Sequence, residues 1–506
     1  MQNIKYDIII IGAGLGGLVT AALLSKEGKK VLVLEKNKQI GGALQSFGID
    51  KKLFESAVHY LGSLNNGETL YKLYDYLGIL KDLKLKRLDI DCYDEIILNN
   101  KSFKLAQGHD RFAETLSQYF PNEFKGIHKY LNEVKNVCSH FPLYNMRIGS
   151  AEEKQQVIGK GFHALISQFT HNDELIQVLG GNNLLYAGNQ QQTPFYLHAL
   201  IQNSYIESSW KFEEGSAQLA ILLKDVIQQH GGDVFRNQEV KLIKEENGII
   251  QYVETTEGVQ FIADAYISNM HPDLTYQMLD SNLIRPVTRK RISATPLTKS
   301  SFMVNISLKE NQIKYRNHNI YFHKSEDVWL DLKRQVVDDP LSFGIFFYQD
   351  KKNPIYASAI SILCYNDFDA YQQWEKSMHT TTYSENRDEL YQTYKLNLMN
   401  YCIDAVTEII PNLKQSIVKM DACTPLTYRD YLNTPKGSLY GFQTNVDDLA
   451  NTTYSTQTKI PNLYFTGQNI NLHGVLGVSI TALLTAADFV GLPYLVDKIN
   501  LHATKK

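Results

Sequence analysis

Asp7-Ile8-Ile9-Ile10-Ile11-Gly12-Ala13-Gly14-Leu15-Gly16-Gly17 is the stretch that decides the fold of this chain. Its four consecutive isoleucines predict a buried parallel strand, and the glycines at positions 12, 14 and 17 have the spacing G-x-G-x-x-G. Residues 18–26 are rich in Ala and Leu and predict a helix, and the apolar run 31–34 ends on Glu35. A strand, a glycine loop, a helix, a second strand and a terminal acid together predict a dinucleotide-binding unit of α/β type.

Each part of this unit has a physical role in holding a dinucleotide. Gly12 permits a tight turn, Gly14 lets the backbone approach a pyrophosphate, and Gly17 lets the helix pack against the sheet. The helix N-terminus presents free N–H groups and a partial positive charge to phosphates. Glu35 can accept hydrogen bonds from both ribose hydroxyls, and it disfavours a 2′-phosphate. The predicted cofactor residues of this unit are Gly12, Ala13, Gly14, Leu15, Gly16, Gly17, Glu35 and Lys36.

Composition bounds the class of protein. The 506 residues amount to about three domains at ~150 residues each, and 43% hydrophobic with 21% charged residues is typical of a globular chain. The net charge of −3 gives no bulk attraction for nucleic acid, so we expect no nucleic-acid partner. The five cysteines are scattered without a C-x-x-C pair, which predicts neither a disulfide framework nor a metal site and favours a reducing compartment.

The sequence also bears on location. The polar residues 1–6 are too few for a signal peptide, and the absence of a run of ~18 apolar residues argues against a membrane span. We therefore expect a cytoplasmic chain and leave peripheral membrane contact and the oligomeric state open. Aromatic residues make up 11% of the chain, which is consistent either with an ordinary core or with an apolar pocket lined by rings.

The order of predicted elements indicates two interleaved domains. The dinucleotide domain comprises residues 1–65, 212–275 and 417–495, and a mixed domain comprises residues 66–211 and 276–416. Insertions of this size are tolerated because the entropy of loop closure grows slowly with length.

Several local patterns make this division specific. Residues 70–89 have helical spacing, a strand pair is expected to turn at Asn99-Asn100, and residues 108–210 are mostly helical with a break at Gly180-Gly181. Residues 234–244 predict one strand. Residues 300–310 and 341–364 alternate like strands of a second sheet.

Two further motifs distinguish FAD from NAD. Gly41-Gly42 follows Glu35 by six and seven residues and resembles the Glu-x5-Gly-Gly pattern of FAD-dependent oxidoreductases, in which the doublet approaches the pyrophosphate and ribityl chain. Most members carry Arg next, whereas this chain has Ala43, so that contact is missing. A plain turn is the alternative interpretation of the doublet alone.

The second motif is residues 461–491, PNLYFTGQNINLHGVLGVSITALLTAADFVG. A strand ends at Thr466-Gly467, and a loop with two glycines opens a helix. In the resembled family this segment seats the ribityl chain, and the helix N-terminus faces the flavin N1/O2 edge, where reduced flavin carries negative charge. The resemblance therefore implies FAD, with these further contacts: Gly41, Gly42, Ala43, Gly467, Gln468, Asn469, Gly474, Gly477 and Val478.

The resemblance narrows to one branch. Residues 54–62 (FESAVHYLG) and the stretches Thr424-Pro425-Leu426-Thr427 and 435–441 (PKGSLYG) are similar to segments of the retinol saturase, carotenoid isomerase and phytoene desaturase enzymes. This resemblance covers nearly the whole chain. It implies a discontinuous Rossmann-like FAD domain of the glutathione-reductase-2 type with an inserted mixed α+β substrate domain. It also implies a long apolar polyene or isoprenoid as substrate.

Three residues are candidates for chemistry. His59 and Tyr60 follow the glycine doublet closely and are expected beside the flavin, where they would also contact it. A core histidine bonded to backbone is the alternative for His59. His473 precedes the flavin-facing helix, and positioning is favoured over proton transfer. Val240 resembles the position whose backbone meets adenine. Six aromatic residues are candidates for a tunnel or for ordinary core: Tyr186, Phe195, Tyr196, Phe346, Phe347 and Tyr348.

Three function classes remain open at this level. The first is an enzyme that desaturates, saturates or isomerises polyene double bonds, with its direction and electron partner undetermined. The second is a flavin amine oxidase; the three tryptophans, at positions 210, 329 and 374, and the absence of a cysteine after Cys423 argue against it. The third is an isoprenoid-binding protein of the same fold without flavin.

Overall fold

The computed structural model describes residues 5–504, and its centre is a five-stranded parallel sheet. Ile9 lies opposite both Leu32 and Tyr266. Ile9 and Ile10 have no exposed surface, as expected of a strand buried on both faces. Three separated chain segments contribute to this sheet, whose strand order is Asp233–Phe235, Val31–Leu34, Tyr6–Ile11, Ala263–Ser268 and Leu463–Phe465.

The parallel sheet is covered on both faces. Three helices lie on one face, where Leu15–Lys26 packs between Ala217–Gln229 and Gly474–Val490. A smaller, mainly antiparallel sheet covers the other face and shares a core with Ile9, Ile11 and Leu32. Its strands, in order, are Gln260–Phe261, Ile249–Thr255, Val240–Glu246 and Leu279–Asp280. The three layers confirm the predicted Rossmann-like α/β unit.

A seven-stranded mixed sheet forms the second large body. One face of this sheet packs on the helix Glu389–Thr407, and the other face shares a core with the mostly helical residues 108–210. The strands expected over residues 300–310 and 341–364 are present in this sheet as Ser300–Leu308, Ser342–Gln349 and Ala357–Asn366. All nine residues of Ser300–Leu308 are buried, because both faces of the sheet are covered there. The strand order is Ile417–Cys423, Ser300–Leu308, Ala357–Asn366, Ser342–Gln349, Asn319–His323, Asp94–Leu98 and Lys101–Leu105.

Three local expectations differ from the structure. Ile417–Cys423, placed with the dinucleotide segments, pairs instead with Ser300–Leu308 in the seven-stranded sheet. The single strand expected over 234–244 is two strands in different sheets, because Asn237 has φ +55° and breaks the extended run. The helix expected over 70–89 ends at Leu77, where Gly78 adopts a left-handed conformation.

Helices surround these sheets. The expected turn at Asn99-Asn100 is present, with both residues at positive φ, and the expected break at Gly180-Gly181 follows the end of Asp173–Leu179. Two short antiparallel sheets pair Ser46–Ile49 with Lys52–Glu55, and Ser209–Phe212 with Leu61–Gly62 and Leu85–Arg87. The other α-helices are Thr69–Leu77, His109–Tyr119, Phe124–Ser139, Ala151–Gln155, Phe162–Ile166, Phe195–Glu207, Pro272–Met278, Pro286–Ala294, Leu330–Lys333, Leu413–Ser416, Pro425–Leu432, Leu449–Thr452 and Leu492–Thr504.

Within residues 5–504, no single helix has both the length and the apolar character needed to cross a membrane. The consecutive helices that meet at Gly491 pass such a test only as a pair, and they are bent by 119° relative to each other.

Candidate functional site

A single long cleft lies at the carboxyl ends of the parallel strands, the edge at which doubly wound sheets bind ligands. Its empty volume is about 1730 Å³, the open mouth included. Walls come from all three segments predicted for the dinucleotide domain. The predicted site residues that line it are Gly12, Gly14, Leu15, Gly16, Glu35, Lys36, Gly42, Ala43, His59, Tyr60, Val240, Gly467, Gln468, Asn469, Gly474 and Val478.

Five predicted residues do not line the cleft; His473 is described below, and the other four support the wall. The Ala13 amide donates a hydrogen bond to Glu35 Oε2 (2.9 Å), and the Gly41 amide donates one to the Ala13 carbonyl (2.8 Å). A Cβ on Gly17 would collide with the Gly12 carbonyl oxygen. A Cβ on Gly477 would lie 2.5 Å from that of Leu472. These positions fix the loop geometry that the lining residues depend on.

Asn269 is a cleft residue that the sequence analysis did not single out. It follows the strand Ala263–Ser268, and its Nδ2 donates to the Gly12 carbonyl at 3.3 Å. A Cβ on Gly16 would stand 2.6 Å from Asn269 Oδ1 and 2.8 Å from the Gly467 Cα. Asn269 therefore joins the first glycine loop to the C-terminal one. Its position at a parallel strand's carboxyl end was the available signal.

Glu35 is held with lone pairs still available. Its carboxylate is 5% exposed and accepts hydrogen bonds from the Ala13 and Asn37 amides at 2.9 and 2.8 Å. Burial raises its pKa, and these two backbone bonds work against that rise. A carboxylate accepts about four hydrogen bonds in all, so two hydroxyl donors on a neighbouring ribose fit this group.

Two helices begin at the cleft. Leu15–Lys26 begins after Gly14, and Gly474–Val490 begins after His473; neither has a side chain capping its first N–H groups. Unpaired N–H groups and the helix dipole make such ends sites for anionic groups. The first suits phosphates and the second an electron-rich ring edge.

The far end of the cleft is apolar and aromatic. Of the six proposed tunnel aromatics, Phe346 lies here. Phe347 and Tyr348 line a neighbouring cavity that shares the His59 and Phe346 wall. The other three, Tyr186, Phe195 and Tyr196, are buried in the core. Lining residues of this end that the sequence did not predict are Leu184, Leu185, Tyr205, Tyr321, Leu363, Leu439 and Tyr440.

His59 stacks face to face on Phe346, with ring centroids 3.9 Å apart and planes 7° from parallel. Both ring nitrogens are buried and have no hydrogen-bond partner within residues 5–504. Burial lowers the pKa of His59 to about 3. The ring is therefore neutral near pH 7 and offers one N–H donor and one acceptor to a ligand.

His473 is engaged with protein. Its Nε2 donates to the Leu185 carbonyl at 3.0 Å, and its ring stacks on Tyr440 at 4.1 Å. Burial lowers the pKa of His473 to about 4. This arrangement fixes a neutral ring just before the helix Gly474–Val490.

Tyr60 is linked to a buried carboxyl group. Its hydroxyl donates to Asp94 Oδ2 at 2.8 Å and lies 2.8 Å from the hydroxyl of Tyr321. Asp94 has no exposed surface, and burial raises its pKa to about 6. Asp94 was not among the predicted site residues; the available signal was an acid within the predicted strand pair that turns at Asn99-Asn100.

Comparisons with known proteins agree with this geometry. A family profile described as an NAD(P)-binding Rossmann-like domain matches residues 10–77. Over 96% of its length the chain is 27% identical to all-trans-retinol 13,14-reductase of Danio rerio, and the match covers 86% of that protein. Over 95% of its length it is 24% identical to the chloroplastic prolycopene isomerase 2 of an Oncidium hybrid cultivar, 83% of which is matched.

Solved structures share the fold. An oxidoreductase from Methanosarcina mazei superimposes with a TM-score of 0.64 at 15% identity, over 94% of this chain and 99% of that one. Wild-type putrescine oxidase bound to putrescine gives 0.62 at 13% identity, over 96% and 99%. The predicted fold, the resemblance to retinol and carotenoid enzymes and the assignment as an oxidoreductase are thereby confirmed. Together the comparisons indicate a flavin-type cofactor.

Proposed function

We propose that this chain is an FAD-dependent oxidoreductase that acts on C=C bonds of a long apolar polyene or isoprenoid, of retinoid or carotenoid type. The observation that carries the proposal is the continuous cleft, which runs from the glycine loop and Glu35 to an apolar end beside His59 and Tyr60. The names of the relatives, which match nearly the whole chain, support the substrate class.

The residues present fit FAD. Glu35 suits the ribose hydroxyls. Gly14 and Gly16 line the cleft, and without a Cβ they let a pyrophosphate approach the backbone of the loop from Gly12 to Gly17. Asn469 Oδ1 is buried without a hydrogen-bond partner in the part of the chain that the structure describes, which suits a cofactor donor. Bound flavin would supply hydride transfer.

The protein supplies a dry slot and a proton. The aromatic and aliphatic walls of the apolar end exclude water from the reacting carbons. Burial keeps His59 and His473 neutral, so neither is a reservoir of positive charge. Tyr60 is the one of the three candidates that connects directly to a carboxyl group. It is therefore our assignment for proton exchange.

The lining of the cleft also distinguishes the substrate classes. Among residues 5–504, the carboxylates that line the cleft are Glu35 and Glu239, and both lie at the adenosine end. A charged amine would enter an apolar end with no carboxylate in direct reach, because Asp94 lies buried behind Tyr60, and that is costly. An uncharged polyene meets no such penalty. The lining thus favours the polyene over the amine oxidase alternative.

The visible absorbance of the purified protein tests whether FAD is bound. Purified protein is expected to absorb near ~450 nm, the band of an oxidised flavin, and to release FAD on denaturation. Glu35→Ala is expected to lower occupancy, whereas Glu257→Ala, at an exposed turn, leaves it unchanged. Colourless protein that does not take up added FAD but binds a polyene would overturn the enzyme assignment and favour a binding protein.

A further inference from the structure

Asp94 is a fully buried carboxyl group behind the apolar end of the cleft. We propose that Asp94 stores a proton which Tyr60 exchanges with the substrate, and that Tyr321 aligns the Tyr60 hydroxyl for this exchange. The proposal rests on the proposed function, because the substrate is the polyene assigned there. Tyr60 is the catalytic residue of this relay, and Asp94 and Tyr321 are positioning residues.

The geometry joins the carboxyl group to the cleft in one step. Tyr60 and Tyr321 both line the cleft, and their hydroxyl oxygens are 2.8 Å apart. The Tyr60 hydroxyl is also 2.8 Å from Asp94 Oδ2. A proton therefore needs to cross only one hydrogen bond between Asp94 and a group that faces the substrate.

Asp94 is held rigidly by two amides. Asn319 Nδ2 donates to Oδ1 at 3.0 Å, and Asn182 Nδ2 donates to Oδ2 at 3.1 Å. Asn319 is the register partner of Asp94 between adjacent parallel strands. These donors stabilise the carboxylate without neutralising it, because neither carries a charge. The buried group can thus exist in both protonation states.

Each protonation state presents Tyr60 differently. When Asp94 is ionised, the Tyr60 O–H points to it and the Tyr60 oxygen accepts from Tyr321. When Asp94 is protonated, its O–H donates to the Tyr60 oxygen, and the Tyr60 O–H is free to turn toward the cleft. Burial raises the pKa of Asp94 to about 6, so both states are accessible near neutral pH.

Other titratable groups do not replace this pair. His59 and His473 are neutral, and Tyr205 contacts Tyr60 through its ring, at a centroid distance of 4.4 Å. Lys36 and Glu35 lie at the adenosine end. The titratable or charged groups that face Asp94 and Tyr60 from the surrounding elements are Cys92, Tyr93, Tyr205, His318 and Tyr321.

The transfer balances in both directions. In saturation, bound reduced flavin would supply a hydride to one substrate carbon, and the Tyr60 hydroxyl would give its proton to the neighbouring carbon as the C=C bond becomes single. The Asp94 proton then moves to the Tyr60 oxygen, leaving a carboxylate that regains a proton through Tyr60 once the product has left and water enters the cleft. In desaturation the Tyr60 oxygen would take a proton from one substrate carbon and pass its own to the Asp94 carboxylate, while the hydride of the neighbouring carbon would leave to oxidised flavin as the C=C bond forms.

The first test needs no substrate. In a pH titration of the holoenzyme by infrared difference spectroscopy, the carboxyl band of Asp94 is expected to be lost in Asp94→Asn and to shift its midpoint in Tyr60→Phe. Asp331→Asn removes another fully buried carboxylate, which is bonded to the Leu341 and Ser342 amides, and is expected to leave the band unchanged. An Asp94 band that titrates identically with and without the Tyr60 hydroxyl overturns the relay.

The second test follows one turnover. Tyr60→Phe is expected to slow polyene conversion on the order of 10²–10⁴-fold. In D₂O, the product of this variant is also expected to contain less deuterium from solvent than the wild-type product. Asp94→Asn is expected to change the pH profile. Tyr93→Phe is the matched control, because it removes a buried hydroxyl that has no hydrogen-bond partner among residues 5–504.

The outcomes separate the two proposals. Normal conversion and an unchanged pH profile in Tyr60→Phe overturn the relay and leave the proposed function standing. A wild-type holoenzyme that converts no polyene overturns the proposed function and, with it, a relay to a polyene, whatever the infrared titration shows. Slowed conversion in Tyr60→Phe with normal Tyr93→Phe supports both.

Discussion

Gly16 lies where the first glycine loop closely approaches Gly467 and Asn269, and there is no room for a larger side chain. Because a Cβ there would stand 2.8 Å from the Gly467 Cα and 2.6 Å from Asn269 Oδ1, Gly16→Ala must push two loops apart. We expect a loss of about 1–3 kcal/mol in the free energy of unfolding, measured by urea denaturation, together with weaker FAD binding in a fluorescence titration.

Gly159→Ala is the matched control for this change. Gly159 has ordinary backbone angles and open space around its Cα, so neither stability nor FAD affinity is expected to fall. Equal FAD affinity in Gly16→Ala and wild type would contradict the close approach of the two glycine loops.

Residues that act through local chain geometry were predictable. The spacing of Gly12, Gly14 and Glu35 along the sequence was enough to predict them as site residues, and the structure places all three in the cleft wall. Asp94 and Asn319 were not predictable as a pair. They come together only through strand register across 225 residues, which no local pattern encodes.

At the scale of elements, the Thr424-Pro425-Leu426-Thr427 stretch has a structural explanation. Thr424 caps Pro425–Leu432: its side chain accepts from the Thr427 amide, and the Thr427 side chain accepts from the Thr424 amide. Pro425 occupies the first helical position, where proline is favoured. A motif that marks the resemblance to polyene enzymes is thus a helix cap.

Thr424→Ala is expected to lower the free energy of unfolding by about 1 kcal/mol, the usual cost of removing such a cap. Thr424→Ser keeps the oxygen and is expected to retain most of that stability. Chemical denaturation followed by circular dichroism gives both values. Equal stability of the Ala and Ser variants would show that the cap contributes nothing.

Element boundaries show where sequence reasoning reaches its limit. Asn99 and Asn100 form the expected turn because asparagine tolerates positive φ. The strand expected over 234–244 divides instead, and its halves join different sheets. Periodicity describes one segment and cannot tell which neighbour that segment will pair with.

At the scale of the whole molecule, buried histidines couple folding to pH. Burial lowers the pKa of His59 to about 3, well below its ordinary value near 6.5. Between about pH 6.5 and pH 3, His59 therefore binds a proton in the unfolded chain but not in the folded chain. The contribution of His59 to the free energy of unfolding is fully present above pH 6.5 and is lost as the pH falls toward 3. Asp94, with a raised pKa, acts in the opposite direction.

His59→Phe isolates this contribution. Phe preserves stacking on Phe346 and does not titrate, so the variant is expected to lose about 2 kcal/mol less stability than wild type between pH 7 and pH 5. Urea denaturation at the two pH values measures the difference. The control His230→Phe alters an exposed side chain and is expected to follow wild type; the same behaviour in His59→Phe would contradict a buried neutral ring.

The interleaving of the chain was predictable only in outline. The five parallel strands come from segments 6–34, 233–268 and 463–465, as the order of motifs suggested. Their helix layer shares one core with the helical insertion, so the apolar end of the cleft is built where both meet. That composite wall explains why Leu184, Tyr321 and Leu363 were not foreseen.

In our proposal, one cleft brings reduced flavin and a polyene together. Anaerobic mixing of the reduced holoenzyme with a panel of retinoids and carotenoids tests this, with the flavin and polyene absorbance followed in the same cuvette. We predict that at least one polyene changes its spectrum and product mass together with reoxidation of the flavin, or isomerises with the flavin unchanged at the end. Unaltered polyene spectra and products across the panel, with fully reduced flavin, would contradict the account.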